Sequence, residues 1–260
     1  MRYKYFLFPA GIFDSKRPEV KHFAFTLSEV LITLGIIGVI AAMTIPALIT
    51  RYQKFQTVTK LKGAYSQLAQ AIRLSQDDNG DVEGWDLASP DWFQRYLASY
   101  MKVTATKLKD FNEKDSIEYK ETSGKRETGL AIINNAVYGG ATSYTLLNGV
   151  QVIVADSYRG TSEDANRSVG FVIDLNGPYT LPNKFGRDAF MFSLNKYHGL
   201  VPSGMYTTSE CTPPVEGNPG RDYLKNTGCF RYACNRQSRG MFCAALIVTD
   251  GWQISPDYPW

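Results

Sequence analysis

The sequence contains little histidine, which excludes several kinds of active site. Only His22 and His198 occur among its 260 residues, too few for a histidine-rich metal centre or a histidine-based triad with a spare ligand set. The chain also lacks the G-x-S-x-G, G-x-x-x-x-G-K-[ST] and G-x-G-x-x-G patterns, which mark nucleophile elbows, phosphate-binding loops and dinucleotide-binding turns. The sequence therefore predicts a protein that is not an enzyme.

Cysteine is absent from the first 210 residues and then occurs four times, as Cys211, Cys229, Cys234 and Cys243. An even, clustered set is typical of disulfide bonds in an exported domain. A structural zinc site is the weaker alternative, because the spacings contain no C-x-x-C pair. Four cysteines permit three connectivities, and their spacing does not choose among them.

Excess charge is also scarce once the chain is divided. Residues 1–24 carry five basic and two acidic side chains, a difference equal to the formal net charge of +3 of the whole chain. The remaining 236 residues are therefore close to neutral and give no net-charge argument for a nucleic-acid partner. Basic and aromatic side chains interleave near the C-terminus, however, in a pattern that suits either DNA or a solvated basic loop: Arg221, Tyr223, Lys225, Phe230, Arg231, Tyr232, Arg236, Arg239 and Phe242.

One long apolar run organises the rest of the chain. Residues Phe25–Ile49 contain a single ionisable side chain, Glu29, and a helix of this length covers the roughly 30 Å hydrocarbon core of a bilayer. We therefore predict a membrane-spanning segment at 25–49. Pro46 removes one backbone hydrogen bond within it, which predicts a kink or local melting near residues 42–46.

The start of this run carries a family resemblance. Ala24 is followed by Phe-Thr-Leu-Ser-Glu-Val-Leu-Ile and then by apolar residues up to Pro46. This segment resembles the class III signal of type IV pilins and type II secretion pseudopilins, a family that usually has Gly at the position of Ala24. The resemblance implies that a prepilin peptidase cuts between Ala24 and Phe25, methylates the new amine of Phe25, and leaves the apolar segment on the mature protein.

The resemblance also implies a location and a role. The chain would lie in the inner membrane with a cytoplasmic N-terminus and an exoplasmic C-terminal domain, and would join copies of itself and related pilins in a filament. In this family the acid that matches Glu29 is thought to meet the amine of another subunit, and the helix containing Pro46 packs between subunits. Two alternatives stay open: a monomeric, membrane-anchored exoplasmic binding module that keeps residues 1–24, and a competence pilin that binds DNA.

Beyond the span, apolar residues predict a helix that continues along one stripe. Val58, Leu61, Tyr65, Leu68 and Ile72 recur at spacings of three and four, and a cluster of breakers at 77–80 should end the helix. A second, short helix fits 89–97, where Ser and Pro suit its start. Residues 107–127 are charged and aperiodic, which predicts an exposed connection.

The remaining pattern predicts strands, and with them an α+β fold. Asn148-Gly149 between two β-rich runs is a strong signal of a tight hairpin. The predicted strands are Thr142–Leu147, Val150–Ala155, Val169–Asp174, Asp188–Leu194 and Cys243–Asp250. We expect a pilin-like fold in which a long N-terminal helix packs on a small antiparallel sheet, with a cysteine-stapled C-terminal region. The expected divisions are a leader at 1–24, a transmembrane helix at 25–49, its amphipathic continuation at 50–80 and an exoplasmic domain at 81–260.

The connection between the third and fourth predicted strands is similar to a D-x-N-G…P-N-x-x-G-x-D-x-F segment of pilin-like sequences. Oxygens of Asp174, Asn176 and Asp188 are a weak candidate set for Ca²⁺. The favoured alternative is that these residues shape a β-connection without any ion, so no cofactor is expected. The segment from Cys234 to Trp252 looks like the family's C-terminal loop, and this resemblance pairs Cys234 with Cys243 and, by default, Cys211 with Cys229.

Overall fold

A computed structural model of the chain describes residues 26–108, 118–126, 141–155, 168–206, 217–226 and 231–260. The chain divides into two compact units, residues Met1–Ile49 and Thr50–Trp260. Helix α1 (Leu27–Asn79) contributes to both units, and the second unit also contains an antiparallel sheet and short helices. The predicted α+β class is confirmed.

Helix α1 changes character along its 53 residues. Between Leu27 and Ile49 its large apolar side chains keep 41% to 77% of their surface exposed, and by length and composition this helix can cross a membrane. Further along, Leu61, Leu68 and Ile72 are buried, which confirms the predicted stripe. The helix ends at Asn79, inside the predicted breaker cluster.

The helix continues without interruption through Pro46, so the predicted local melting at residues 42–46 is wrong for this structure, and the other predicted form, a kink, stays a prediction. The proline ring removes one backbone hydrogen bond, but the ladder on either side of it is long. Transmembrane helices tolerate proline in this way when neighbouring groups hold the backbone.

The sheet is a six-stranded antiparallel meander in which each strand pairs with its neighbours in the sequence. Strands β2 to β5 confirm four predicted strands to within a few residues, whereas the two edge strands, β1 and β6, were not predicted. Edge strands are short and half exposed, so they carry little apolar alternation. The strands are β1 (Thr104–Leu108), β2 (Ala141–Thr145), β3 (Gln151–Ala155), β4 (Ser168–Asp174), β5 (Ala189–Asn195) and β6 (Gly199–Pro202).

The core of the second unit lies between α1 and the sheet. Tyr65 of α1 has its ring centroid 6.0 Å from that of Phe192 on β5, and Phe192 stacks at 6.4 Å on Phe171 of β4. Helix α2 (Trp92–Tyr96) is shorter than the predicted 89–97. The ring centroid of its Phe93 lies 4.4 Å from that of Tyr144 on β2. Trp92, Phe93 and Tyr96 are all buried, so the aromatic residues of α2 belong to the core, as expected.

The predicted hairpin joins β2 to β3, but with a different turn chemistry. Leu146 N donates to Val150 O at 2.8 Å, and Gly149 N donates to Leu146 O at 3.0 Å. Of the two central residues, only Gly149 has a positive φ, of +80°. The loop is therefore a longer connection that ends in a left-handed glycine, and not the two-residue turn in which both residues take positive φ.

Residues 243–249 form helix α4 (Cys243–Thr249), so the predicted strand Cys243–Asp250 is wrong. Five consecutive residues from Cys243 to Ile247 are buried, and a run buried on every side shows neither helical nor strand periodicity. Its two alanines favour a helix. Leu246 N accordingly donates to Phe242 O at 3.0 Å, one helical turn back.

The prediction of an exposed connection at 107–127 is confirmed for Glu118 and for residues 124–126, which are exposed, but it is wrong for the residues packed in the core. Leu108 ends β1 as a buried residue, and Tyr119 is 1% exposed. Lys120 N donates to Asn183 O at 2.7 Å, which ties this segment to the connection between β4 and β5. Charged neighbours in the sequence conceal Tyr119, the aromatic side chain that anchors the described part of this segment.

Candidate functional site

The first residues of α1 form a capping box. Thr26 N and Thr26 Oγ1 each donate to Glu29 Oε2 at 2.8 Å, and Glu29 N donates to Thr26 Oγ1 at 3.2 Å. Each side chain thereby satisfies a backbone N–H that the helix leaves without a partner. Glu29 was predicted only as a charge, although the spacing T-x-x-E is a known signal of this cap. Ala24 and Phe25, the predicted cleavage and methylation sites, lie outside the described residues.

The weak calcium candidates Asp174, Asn176 and Asp188 lie at the connection between β4 and β5. Backbone N–H groups already bind the oxygens of the two aspartates, whereas the side-chain oxygen of Asn176 is buried with no hydrogen-bond partner among the described residues. Asp174 Oδ1 accepts from Asn176 N at 3.1 Å and Gly177 N at 2.8 Å. Asp188 Oδ2 accepts from Asn183 N at 2.9 Å, and its Oδ1 accepts from Lys184 N at 2.5 Å. These contacts are the turn chemistry that the sequence favoured over an ion.

Asp174 has a further partner that the sequence did not reveal. Tyr119 Oη donates to Asp174 Oδ2 at 2.5 Å within the core. Burial raises the pKa of Asp174 to about 6, while its hydrogen bonds from Tyr119, Asn176 and Gly177 act in the opposite direction. Burial likewise raises the pKa of Asp188. Two buried carboxyl groups therefore hold the backbone of this connection by hydrogen bonds. Among the described residues, no group of three or more His, Cys, Asp or Glu side chains lies close enough together to hold a metal ion.

The C-terminal region contains the disulfide Cys234–Cys243, which closes a sequence separation of 9 residues at a Cα–Cα distance of 4.7 Å. This is the pairing that the family resemblance implied. Both cysteines are fully buried. Cys211 and Cys229 lie outside the described residues, so their pairing stays a prediction.

Three of the five cations proposed for DNA binding are held by carboxylates. Arg221 on helix α3 (Arg221–Asn226) donates through Nε to Asp250 Oδ1 at 2.7 Å and through its other nitrogens to Asp257. Lys225 Nζ donates to Asp257 Oδ2 at 2.5 Å. The hydrogen bond from Arg221, then those from Lys225 and Ser255, hold the pKa of Asp257 well below its usual range.

Arg239 is the third of these cations, and its Nε lies 3.7 Å from Glu121 Oε1. Among the aromatic residues of the same pattern, Phe242 is buried. Phe230 lies outside the described residues. The interleaved pattern therefore does not present the row of unpaired cations on which the DNA alternative depended. Its charges mainly fasten α3 to the C-terminal segment.

A small cleft lies between α1 and the connection from β4 to β5. Its volume is about 180 Å³, and Gln56, Lys60, Asn176 and Arg187 are among the residues that line it. Small-molecule sites typically measure roughly 300–1,000 Å³. The cleft is thus too small for most organic ligands and better suited to a single polar group.

Comparison with known proteins places most of the chain in a family whose role has not been determined. The model described as "Family of unknown function (DUF6613)" matches residues 47–260. No curated protein and no solved structure matches the chain. The matched range begins within the apolar part of α1 and includes the whole sheet, so the predicted signal at 24–32 precedes it.

Proposed function

We propose that this chain, which belongs to the DUF6613 family of unknown function, is a structural subunit of a type IV pilus or of a type II secretion pseudopilus. In this role a prepilin peptidase of the inner membrane processes the chain, which then polymerises with copies of itself and related pilins through its N-terminal helix. Such a subunit is the peptidase's substrate and needs no catalytic residues of its own.

The asymmetry of α1 is the observation that carries the proposal. The helix is about 80 Å long at about 1.5 Å per residue, far more than a bilayer core requires. Its first part, to Ile49, exposes apolar side chains on every face, whereas its later part buries one stripe against the sheet. A helix that is apolar all round must be covered by lipid or by other helices, and a filament built from N-terminal helices supplies the second cover once the subunit leaves the bilayer.

Two features of the described residues support the details. The disulfide Cys234–Cys243 favours an oxidising, exoplasmic location for the second unit. Glu29 receives its hydrogen bonds from Thr26 on Oε2, which leaves Oε1 as the oxygen to accept from the amine of a neighbouring subunit. In this arrangement the capping box holds the Glu29 carboxylate in place, and the Phe25 amine of the neighbouring subunit, which cleavage creates, neutralises its charge.

Amino-terminal sequencing and intact mass measurement of the protein from its native membrane test the proposal. We expect a chain that begins with N-methyl-Phe25. A chain that begins at Met1 would refute processing and would favour the alternative, a monomeric exoplasmic module that keeps its leader. Separation of sheared filaments by sedimentation then shows whether the processed chain is polymerised.

A further inference from the structure

Two connections leave the sheet at the same edge. Thr145, Gln151, Asp174 and Ala189 form one row across strands β2, β3, β4 and β5. The hairpin loop 146–150 and the connection 175–188 both start and end at this row. They therefore project together from one end of the sheet, opposite to the turn after Asn195.

This edge lies beside the part of α1 that directly follows the apolar segment. Thr57 Oγ1 donates to Arg187 O at 3.2 Å, and Lys60 Nζ donates to Leu175 O at 3.4 Å. Lys54 and Lys60 are five and eleven residues past Ile49 in the sequence. When residues 25–49 span a bilayer, only eleven residues separate Lys60 from the end of the span, so this edge is within reach of the headgroup layer, which is roughly 5–8 Å thick on each side.

The two connections expose large apolar side chains at this edge. Leu147 at the hairpin tip is 79% exposed, and Tyr179 and Leu181 in the second connection are 69% and 75% exposed. A single exposed hydrophobic residue needs no explanation. Three on the connections of one sheet edge form an apolar rim that is costly in water.

Cations without carboxylate partners surround this rim. Lys54, Lys60, Lys184 and Arg187 form no ion pair with any residue that the structure describes. Two of these cations lie over the ring of Trp260, with Lys54 Nζ 5.8 Å and Arg187 Cζ 5.5 Å from the ring centroid. Burial, followed by the charges of Arg187 and Arg236, lowers the pKa of Lys184, while the charge of Asp188 acts in the opposite direction.

The acidic side chains nearby offset this group only in part, through the charge of Asp188 on Lys184. Asp174 and Asp188 are buried, and backbone N–H groups and Tyr119 Oη occupy their oxygens. On α1 itself no acidic residue occurs between Glu29 and Asp77. The surface is therefore basic and apolar at once, the combination that a bilayer with anionic lipids attracts through its headgroups and its interfacial layer.

We propose that this membrane-proximal face, formed by loop 146–150, connection 175–188, Lys54 and Lys60, binds the headgroups of anionic phospholipids in the bilayer that anchors α1. The inference rests on the proposed membrane insertion and adds a second contact with lipid. The docked domain keeps a fixed orientation before polymerisation, and it must leave the lipid surface when the subunit enters a filament. Each cation near an anionic surface contributes about a fivefold increase in the docking equilibrium constant.

The full chain, reconstituted in vesicles, provides the test. One set of vesicles is a three-to-one mixture of phosphatidylcholine and phosphatidylglycerol, and the other is phosphatidylcholine alone. Resistance to alkaline extraction first reports whether the apolar segment is inserted. Amide hydrogen exchange then reports docking, and we expect exchange at 146–150 and 175–188 to slow by at least about fivefold in the anionic vesicles and to recover at high salt.

Variants separate the charge from the apolar rim. Lys54→Gln with Arg187→Gln should weaken docking by about 25-fold, and Tyr179→Ser with Leu181→Ser should weaken it without changing its salt dependence. The matched controls are Lys196→Gln and Tyr197→Ser, which lie beyond Asn195 at the opposite end of the sheet, where Tyr197 is 60% exposed. These controls should leave exchange at the membrane-proximal face unchanged.

Three results would count against the inference in different ways. Inserted protein whose exchange is equal in both kinds of vesicle would overturn headgroup binding and leave the proposed function intact. Protein that alkaline extraction removes would overturn membrane insertion, and with it the proposed function. Protection that is independent of phosphatidylglycerol but increases with the protein-to-lipid ratio would show that a second copy of the chain covers this face, and lipid binding would again be wrong.

Discussion

The buried carboxyl group of Asp174 should make folding stability depend on pH. Burial raises its pKa from about 3.8 in an ordinary environment to about 6 in the folded chain. The folded state therefore holds this proton more tightly than the unfolded state does. The resulting stabilisation is complete below pH 3.8 and is lost as the pH rises through about 6. This pKa difference corresponds to about 3 kcal/mol in the free energy of unfolding.

The variant Asp174→Asn tests this reasoning because asparagine keeps the shape of the protonated acid and cannot ionise. Its oxygen can still accept from Asn176 N and Gly177 N, and its amide can donate to Tyr119 Oη. We expect the free energy of unfolding of this variant to vary little with pH, apart from the contribution of Asp188. At neutral pH the variant should be more stable than the wild type by up to about 3 kcal/mol.

Urea unfolding of the full chain in non-ionic detergent, followed by tryptophan fluorescence, measures the effect between about pH 4 and about pH 8. Tyr119→Phe is the matched control. It removes a donor that favours the ionised carboxylate, so the pH dependence of its stability should extend to higher pH. If Asp174→Asn shows the same pH slope as the wild type, Asp174 does not carry the proton. A wild type whose stability increases over this range would contradict the sign of the argument.

Three further predictions concern other parts of the chain. Glu29→Gln keeps a capping oxygen and removes the charge, so it should be processed normally but form less filament than wild type. Glu29→Asp should be intermediate, and Glu29→Ala should additionally lose about 1 kcal/mol of helix capping. If Glu29→Gln yields as much sedimentable filament as the wild type, the charge pair is excluded. Replacing both Cys234 and Cys243 by Ala should lower the free energy of unfolding by about 2–4 kcal/mol in the same urea assay, and an unchanged midpoint would show that the loop is ordered without the bond. Gly186→Ala should lower the free energy of unfolding by about 2–4 kcal/mol. Gly186 has a φ of +79°, and a Cβ there would lie 2.8 Å from Cys243 Sγ. Gly124→Ala is its control, since Gly124 has a φ of +85° with open space around it, and equal losses in the two variants would show that crowding at Gly186 contributes nothing.

Local patterns predicted the elements whose signals lie within one helical turn or one hairpin. The stripe through Leu61, Leu68 and Ile72 predicted how α1 packs, and breakers at 77–80 predicted where it ends, because a helix repeats its face every three to four residues. Asn148-Gly149 predicted the hairpin for the same kind of reason. The turn chemistry of Asp174 and Asp188 was also available, since Asp, Asn and Gly bond to the backbone a few residues away.

The errors arose where a local pattern permitted two structures. The run from Cys243 to Ile247 is apolar throughout, so its pattern fits a buried strand as well as the helix α4 that the chain forms. Pro46 was expected to interrupt α1, but the rest of a long hydrogen-bonded ladder holds the helix across it. Edge strands β1 and β6 have too little alternation to be recognised before their partners are known.

The sequence by itself determined the apolar segment at 25–49, the signal around Ala24 and Phe25 on which the pilin proposal depends, the α+β class and the central strands, because each of these is a property of neighbouring residues. Only the tertiary structure decided which distant residues meet. Tyr119 donates to Asp174, 55 positions away in the sequence. Arg221, one of the cations considered for DNA, pairs with Asp257, 36 positions away. The same folding gathers Lys54, Arg187 and Leu181 near one edge of the sheet. Such contacts follow from the register of strands and the packing of α1, and these depend on the summed burial of many side chains that no short stretch of sequence contains.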